Sequence, residues 1–158
     1  MTSSKIKIVD DIDLRSKLVK IIKTTDKEFL LDYAIEIINI VSKDNDLKKL
    51  NTETTNSAIP FFLKWRKSEV SLRILRDQIF KLHTLARTEK NEITTSYYRF
   101  LAHALATAHV VDHLEVALDY LIKMVNLKTN FNQQESTNKR LFQISSLEKI
   151  ISQNKRFE

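Results

Sequence analysis

All four histidines of this 158-residue chain fall between positions 83 and 113, three of them in the run His103-Ala-Leu-Ala-Thr-Ala-His109-Val-Val-Asp-His113. Imidazole ligates metals, moves protons near neutral pH and recognises partners, so this is where chemistry is to be sought. A spacing of four puts His109 and His113 on one side of an unbroken helix. Together with Tyr98, Ala102 and Ala106 they span an arc of about 80°. His83, from the preceding helix, would complete a set of three imidazoles with an open coordination position, suited to a divalent ion such as zinc or nickel. His103 is the weaker ligand, because it projects roughly 120° away from His109 on the same wheel.

A second reading competes with the metal pair. Val110 and Val111 are β-branched, and Asp112 followed by Glu115 has the spacing of a capping box, so the helix can end near Val110 and restart. His109 then stands at a helix C-terminus, where the dipole favours it, and His113 in a first turn. In that arrangement the histidines close a polar corner by hydrogen bonding. The acids Glu69, Asp77, Asp112, Glu115 and Asp119 are available to orient imidazoles in either case.

Enzyme templates find little support. There is no HExxH, and a chain with no glycine and no cysteine has neither a glycine-rich phosphate loop nor a thiol nucleophile. No serine comes with a locatable base and oxyanion hole. The expectation is a protein that is not an enzyme and carries no cofactor, with the three-histidine metal site as the alternative.

The elements that must position these residues are helices. Absent glycine and a single proline argue against hairpins and left-handed turns, leaving asparagine to supply many helix ends. Apolar spacing is helical nearly throughout and predicts helices at about 13–23, 26–42, 57–67, 68–88, 92–110, 112–127 and 133–153, with a polar connector from Lys43 to Ser57. Pro60 fits a first helical turn. In the last helix Leu141, Ile144, Leu147, Ile150 and Ile151 form the apolar set, and the tail from Lys155 to Glu158 is expected to fray. The fold class is all-α: one domain of six or seven helices over residues 1–158, with an antiparallel core at 58–127. Alanines at 102, 104, 106 and 108 let neighbouring helices approach the one at its centre.

Net charge is +6. Between Lys64 and Lys90 eight bases (Lys64, Arg66, Lys67, Arg73, Arg76, Lys81, Arg87, Lys90) face three acids (Glu69, Asp77, Glu89), so most of the excess sits in one segment. Such a surface attracts nucleic acid or an acidic protein. Arg73 and Lys81 each lie four residues from Asp77, which also fits an ordinary solvated helix face. No aromatic stacking pattern or groove-reading motif speaks for nucleic acid. The N-terminus MTSSKIKIVDDIDLRSK lacks a signal-like apolar core, and no apolar run approaches the roughly 20 residues of a membrane span. A cytoplasmic protein without membrane contact is expected.

From Ala58 to about Val125 the succession AIPFFLKWRKSEVSLR, KLHTLAR and YYRFLAHALATAHVVDHLEVALDYLIK resembles a helical immunity-protein family of bacterial toxin–immunity loci. The residues that carry the likeness are Trp65, Glu69, Arg73, His83, Ala86, Arg87, Arg99, Ala106, Thr107, Ala108, His109, His113, Ala117 and Tyr120. The first 57 residues form helices outside it. The resemblance implies an all-helical protein that binds and neutralises a cognate toxin by stoichiometric occlusion; a homodimer is compatible with the sequence. Trp65, Glu69, Arg73, His83, Arg87, Arg99, His109, His113 and Tyr120 are then partner-binding or scaffold positions. The basic segment with Trp65 is one docking face, and core packing of Trp65 beside Phe61 and Phe62 is the other reading. The set His83, His109 and His113 is also similar to that of the damage-inducible, thiol-transferase-like helical family, which pairs His-x-x-x-His with a third histidine.

Overall fold

The computed structural model describes residues 4–48, 50 and 53–155. Among these, helices run in the order α1 (Ile12–Thr24), α2 (Lys27–Ser42), α3 (Asn45–Lys48), α4 (Glu53–Asn56), α5 (Ala58–Arg66), α6 (Leu72–Thr88), α7 (Glu92–Ala106), α8 (His113–Lys128) and α9 (Gln133–Lys155). Two of them, α3 and α4, are single turns within the polar connector; the other seven build an all-α, single-domain bundle. Most of the expected tail, 156–158, lies outside the described residues. No described helix is long and apolar enough to cross a membrane.

Short polar side chains start four of the helices. Asp11, Ser71 and Asn91 each accept a hydrogen bond from the amide three residues on, opening α1, α6 and α7. The Asn132 side chain does the same for Glu135 in α9. Helix ends show how a glycine-free chain turns. Ser68, Asn130 and Phe131 take positive φ values of 59°, 53° and 60°. After α5 the Glu69 amide donates to the Lys64 carbonyl at 2.8 Å and the Ser68 amide to that of Trp65 at 2.9 Å. That pair of bonds is a Schellman closure with serine in the place usually given to glycine. Ser68 therefore ends α5 rather than starting α6, which begins at Leu72 behind the Ser71 cap.

The centre is α7. Ten of its 15 residues are buried, and it packs most extensively against α8 and α6, with α2 and α5 also against it. Its alanines explain the closeness: Ala102 and Ala104 are fully buried and Ala106 nearly so. The short links between α6, α7 and α8 make consecutive helices antiparallel neighbours.

The chain leaves α7 earlier than apolar spacing predicts. After Ala106 the amides of Thr107, Ala108 and His109 bond three residues back, to Ala104, Leu105 and Ala106. This tightening ends the helix. Lys27 of α2 donates from Nζ to the Ala108 carbonyl at 3.0 Å, satisfying one acceptor of the turn. Asp112 precedes α8 without capping it through its side chain, so the capping box with Glu115 does not form.

The inner face of α9 departs from the apolar rule. Ile144, Leu147 and Ile150 are buried and Ile151 packs against the core, but Leu141 is 49% exposed. Ser136, Arg140 and Gln143 take the inward positions instead, all of them fully buried.

Candidate functional site

The break after Ala106 decides the fate of the histidines. Because α8 runs back along α7, His113 meets His103, and the two Nδ1 atoms lie 3.0 Å apart. His83 of α6 sets its ring against His103 edge-on, with centroids 5.3 Å apart. Tyr120, two turns into α8, stacks on His103 at 5.6 Å and 13° between planes. Arg99, one turn before His103, hydrogen-bonds His83 Nδ1. The cluster is thus His83, Arg99, His103, His113 and Tyr120, drawn from three helices.

His109 is not part of it; it lies exposed in the turn after α7. The i, i+4 pair of His109 and His113 presupposed an unbroken helix, and so did the wheel angle that ranked His103 last. Both expectations are corrected by the turn. The metal set His83, His109 and His113 is accordingly not assembled, and among the described residues no group of three or more His, Asp or Glu is arranged to hold a metal ion.

Protonation states follow from the contacts. A guanidinium has only donors, so the Arg99 bond requires His83 Nδ1 to be bare. Burial, then Arg99 and Arg87, bring the His83 pKa down to about 4. Burial, with His83, His113 and Arg99 after it, brings His103 also to about 4. His113 is lowered by burial and His109, against the opposing pull of Asp112. Between the facing Nδ1 atoms of His103 and His113 only one proton fits, with one ring donating and the other accepting. Near neutral pH these are uncharged rings that clamp α6, α7 and α8 in register.

A second polar centre lies inside the bundle, and sequence reading did not find it. Asp119 of α8 accepts from Arg15 of α1 at Nε, 2.9 Å, and Nη2, 2.8 Å, and from Arg140 Nη2 of α9 at 2.6 Å. Arg140 reaches on to both carboxylate oxygens of Asp10 at 2.8 Å and to Gln143 Oε1 at 2.9 Å. Arg15, Asp119 and Arg140 are 3%, 2% and 0% exposed. Two guanidinium groups and two carboxylates balance, the condition under which burying charge is tolerated. Burial works against the Arg15 cation, but its hydrogen bonds to Asp119 and the nearby carboxylates outweigh that and raise its pKa. Asp119 therefore serves arginines and not imidazoles. Alongside, Asn126 bonds the Val9 backbone through both amide atoms, at 2.7 and 3.0 Å, and ties it to Ser136.

One signal for this network was legible. Arg140 shares its register with Ile144, Leu147 and Ile151, so a charge stands where an inward residue is due. Glu115 flanks the network with its Oε2 buried and without a hydrogen-bond partner among the described residues. Burial raises its pKa.

A model of the Imm-5 like putative immunity protein family matches residues 20–150. The chain belongs to this family. No curated protein and no solved structure matches it. The family match runs from within α1 to within α9, so it takes in α2 and the connector as well as the 58–125 stretch that carries the resemblance in sequence. Of the immunity-family positions read from the sequence, His83, Arg99, His113 and Tyr120 converge in the imidazole cluster, around a histidine that was passed over. Trp65 is half-buried at the end of α5, 5.7 Å from Phe62 and packed against the core. Glu69, Arg73, Arg87 and His109 are exposed, and of these Arg87 and His109 act on the cluster through their charge.

Proposed function

We propose that this immunity-family chain protects the cell that makes it by binding a cognate toxin protein and occluding its working surface, one molecule to one. The observation that carries this reading is the family match over 20–150, which takes in nearly the whole described bundle. The interior supports it. An inhibitor of this kind works through a surface held rigid before the encounter, because preorganisation limits the entropy lost on binding. Two polar centres, a half-buried one joining α6, α7 and α8 and a buried one joining α1, α8 and α9, support that rigidity. Neutral imidazoles already bonded to one another and to Arg99 suit a scaffold better than a catalyst, and we read the protein as non-enzymatic and resident in the cytoplasm.

The test is co-expression with the toxin encoded beside it. Protection of growth, with a complex of one to one stoichiometry on co-purification, is the expected result. Growth arrest despite ample inhibitor, with no complex recovered, would overturn the reading.

A further inference from the structure

The outer face of α6 combines features that a solvated helix face does not need. Ile74 and Phe80 are 42% and 56% exposed there. Beside them a groove of about 630 Å³ opens between the α4–α5 segment and α6, with Phe61, Ile74, Phe80 and Leu85 among its walls. It is open to solvent along one side, a form that takes side chains of another protein more readily than it encloses a small molecule.

Charge in the lining is balanced between Lys81 and Asp77, and further cations stand around the groove. On the α6 wheel Phe80 shares a stripe with Arg73, Arg76 and Arg87, and Lys81 lies on the groove itself. Lys64 of α5 sits 5.7 Å from the ring centre of Phe61 on the opposite wall. Against these stand Glu53, exposed next to the wall residue Thr54, and, in the groove itself, Asp77. The sequence spacing allowed it to neutralise Arg73 and Lys81, yet among the described residues none of Arg73, Arg76 and Lys81 forms an ion pair. Arg66 behaves differently: it is held by Glu28 and Asp32 of α2 and belongs to the fold. The cations of α6 are therefore free to meet charge brought from outside.

We infer that the α5–α6 groove is the surface that receives the partner protein. It takes an acidic segment whose apolar side chains enter between Phe61, Ile74 and Phe80 while its carboxylates meet Arg73, Arg76 and Lys81. The inference rests on the toxin-binding reading for the existence of a protein partner, and adds where that partner docks and what chemistry it presents. Trp65, tucked against Phe62, is displaced by Phe80 as the aromatic anchor. A nucleic acid fits less well. Its phosphates recur at fixed spacing and would confront Asp77 within the groove.

The experiment compares four purified proteins for binding to the toxin from the neighbouring gene: wild type, the α6 variants F80A and R73E/R76E/K81E, and the remote control K17E/K20E/K149E. All substituted side chains are exposed, so melting temperatures should match wild type and confirm intact folds. The expected result is about 30-fold weaker binding for F80A. For the triple reversal the association rate should drop by about tenfold or more, with most of its salt dependence lost. The remote control should bind as wild type does. Undiminished binding by both α6 variants overturns the docking site while leaving toxin inhibition intact. Wild type that binds no toxin removes the function and the site together. Tight binding of a labelled 30-nucleotide RNA that the triple reversal abolishes, with toxin binding unaffected, would reassign the surface to nucleic acid and sink the proposal.

Discussion

At the scale of single residues, the side chain with most resting on it is Asp119. Replacing it by alanine would take from Arg15 the carboxylate that holds it at two points and leave Arg140 with Asp10 as its remaining carboxylate among the described residues, both cations being buried. Removing one partner of a buried charge network costs about 3–5 kcal/mol, far more than the network contributes over a well-packed apolar substitute. Asp119→Ala should therefore lower the urea midpoint steeply; a loss under about 1 kcal/mol would mean that the network is not closed as described. The imidazoles give a different signature. His83 and His103 titrate near 4 in the folded chain against 6.5 for an ordinary histidine. Over that interval the unfolded state binds more protons, so stability is full above about pH 6.5 and drains away as pH falls toward 4. Glu115, raised by burial, acts in the opposite sense across the carboxylate range. Melting temperature followed from about pH 7.5 to pH 4.5 should decline for wild type and decline distinctly less for H83Q/H103Q. Parallel curves would show that these rings are not the groups responsible.

At the scale of elements, the absence of glycine is the feature with thermodynamic consequences. Ser68 at φ 59° closes α5 in the left-handed region, where a side chain costs roughly 1–2 kcal/mol that glycine avoids. Ser68→Gly should therefore stabilise the protein, by about 1 kcal/mol once the greater freedom of glycine in the unfolded chain is set against the relief. A lower melting temperature for this variant would show the serine making a compensating interaction. The same α5–α6 corner shows why boundaries were less legible than helices. Helix interiors announce themselves through spacing: Leu75, Ile79, Leu82 and Ala86 share one face of the wheel and are buried, with Leu72 of the same face partly buried against the core. Serines at 68 and 71 look alike in sequence, and only the hydrogen bonds decide that the first ends a helix and the second starts one. At the end of α7, Val110 and Val111 signalled a break, but tightened i to i+3 bonding moved it back to Ala106. That shift of four residues carried His109 out of the cluster and brought His103 in.

At the scale of the whole molecule, the positive surplus between Lys64 and Lys90 divides into two kinds of charge. Arg66 is internal currency between α5 and α2, whereas the arginines and lysine of α6 face outward around an apolar groove. The N-terminal helices, which carried no resemblance on their own, are part of the same body. Helix α1 packs on α9 and α2 on both α9 and α7, while Arg15 and Asp10 reach the charge network beneath. Under the proposed function, this arrangement holds one face rigid from behind with polar contacts and leaves another open to a partner.

The sequence by itself determined that this chain is helical, which faces of most helices turn inward, and to which family it belongs. Those properties are written in short-range periodicity, in composition and in local motif spacing. Tertiary structure alone decided which histidines meet, that Asp119 pairs with two arginines some 104 and 21 positions away, and that Phe80 stays in solvent while Phe62 is buried. Each of these depends on how a turn of a few residues reorients the helix that follows it, and small rotations there are fixed by packing between distant segments, which no local pattern encodes.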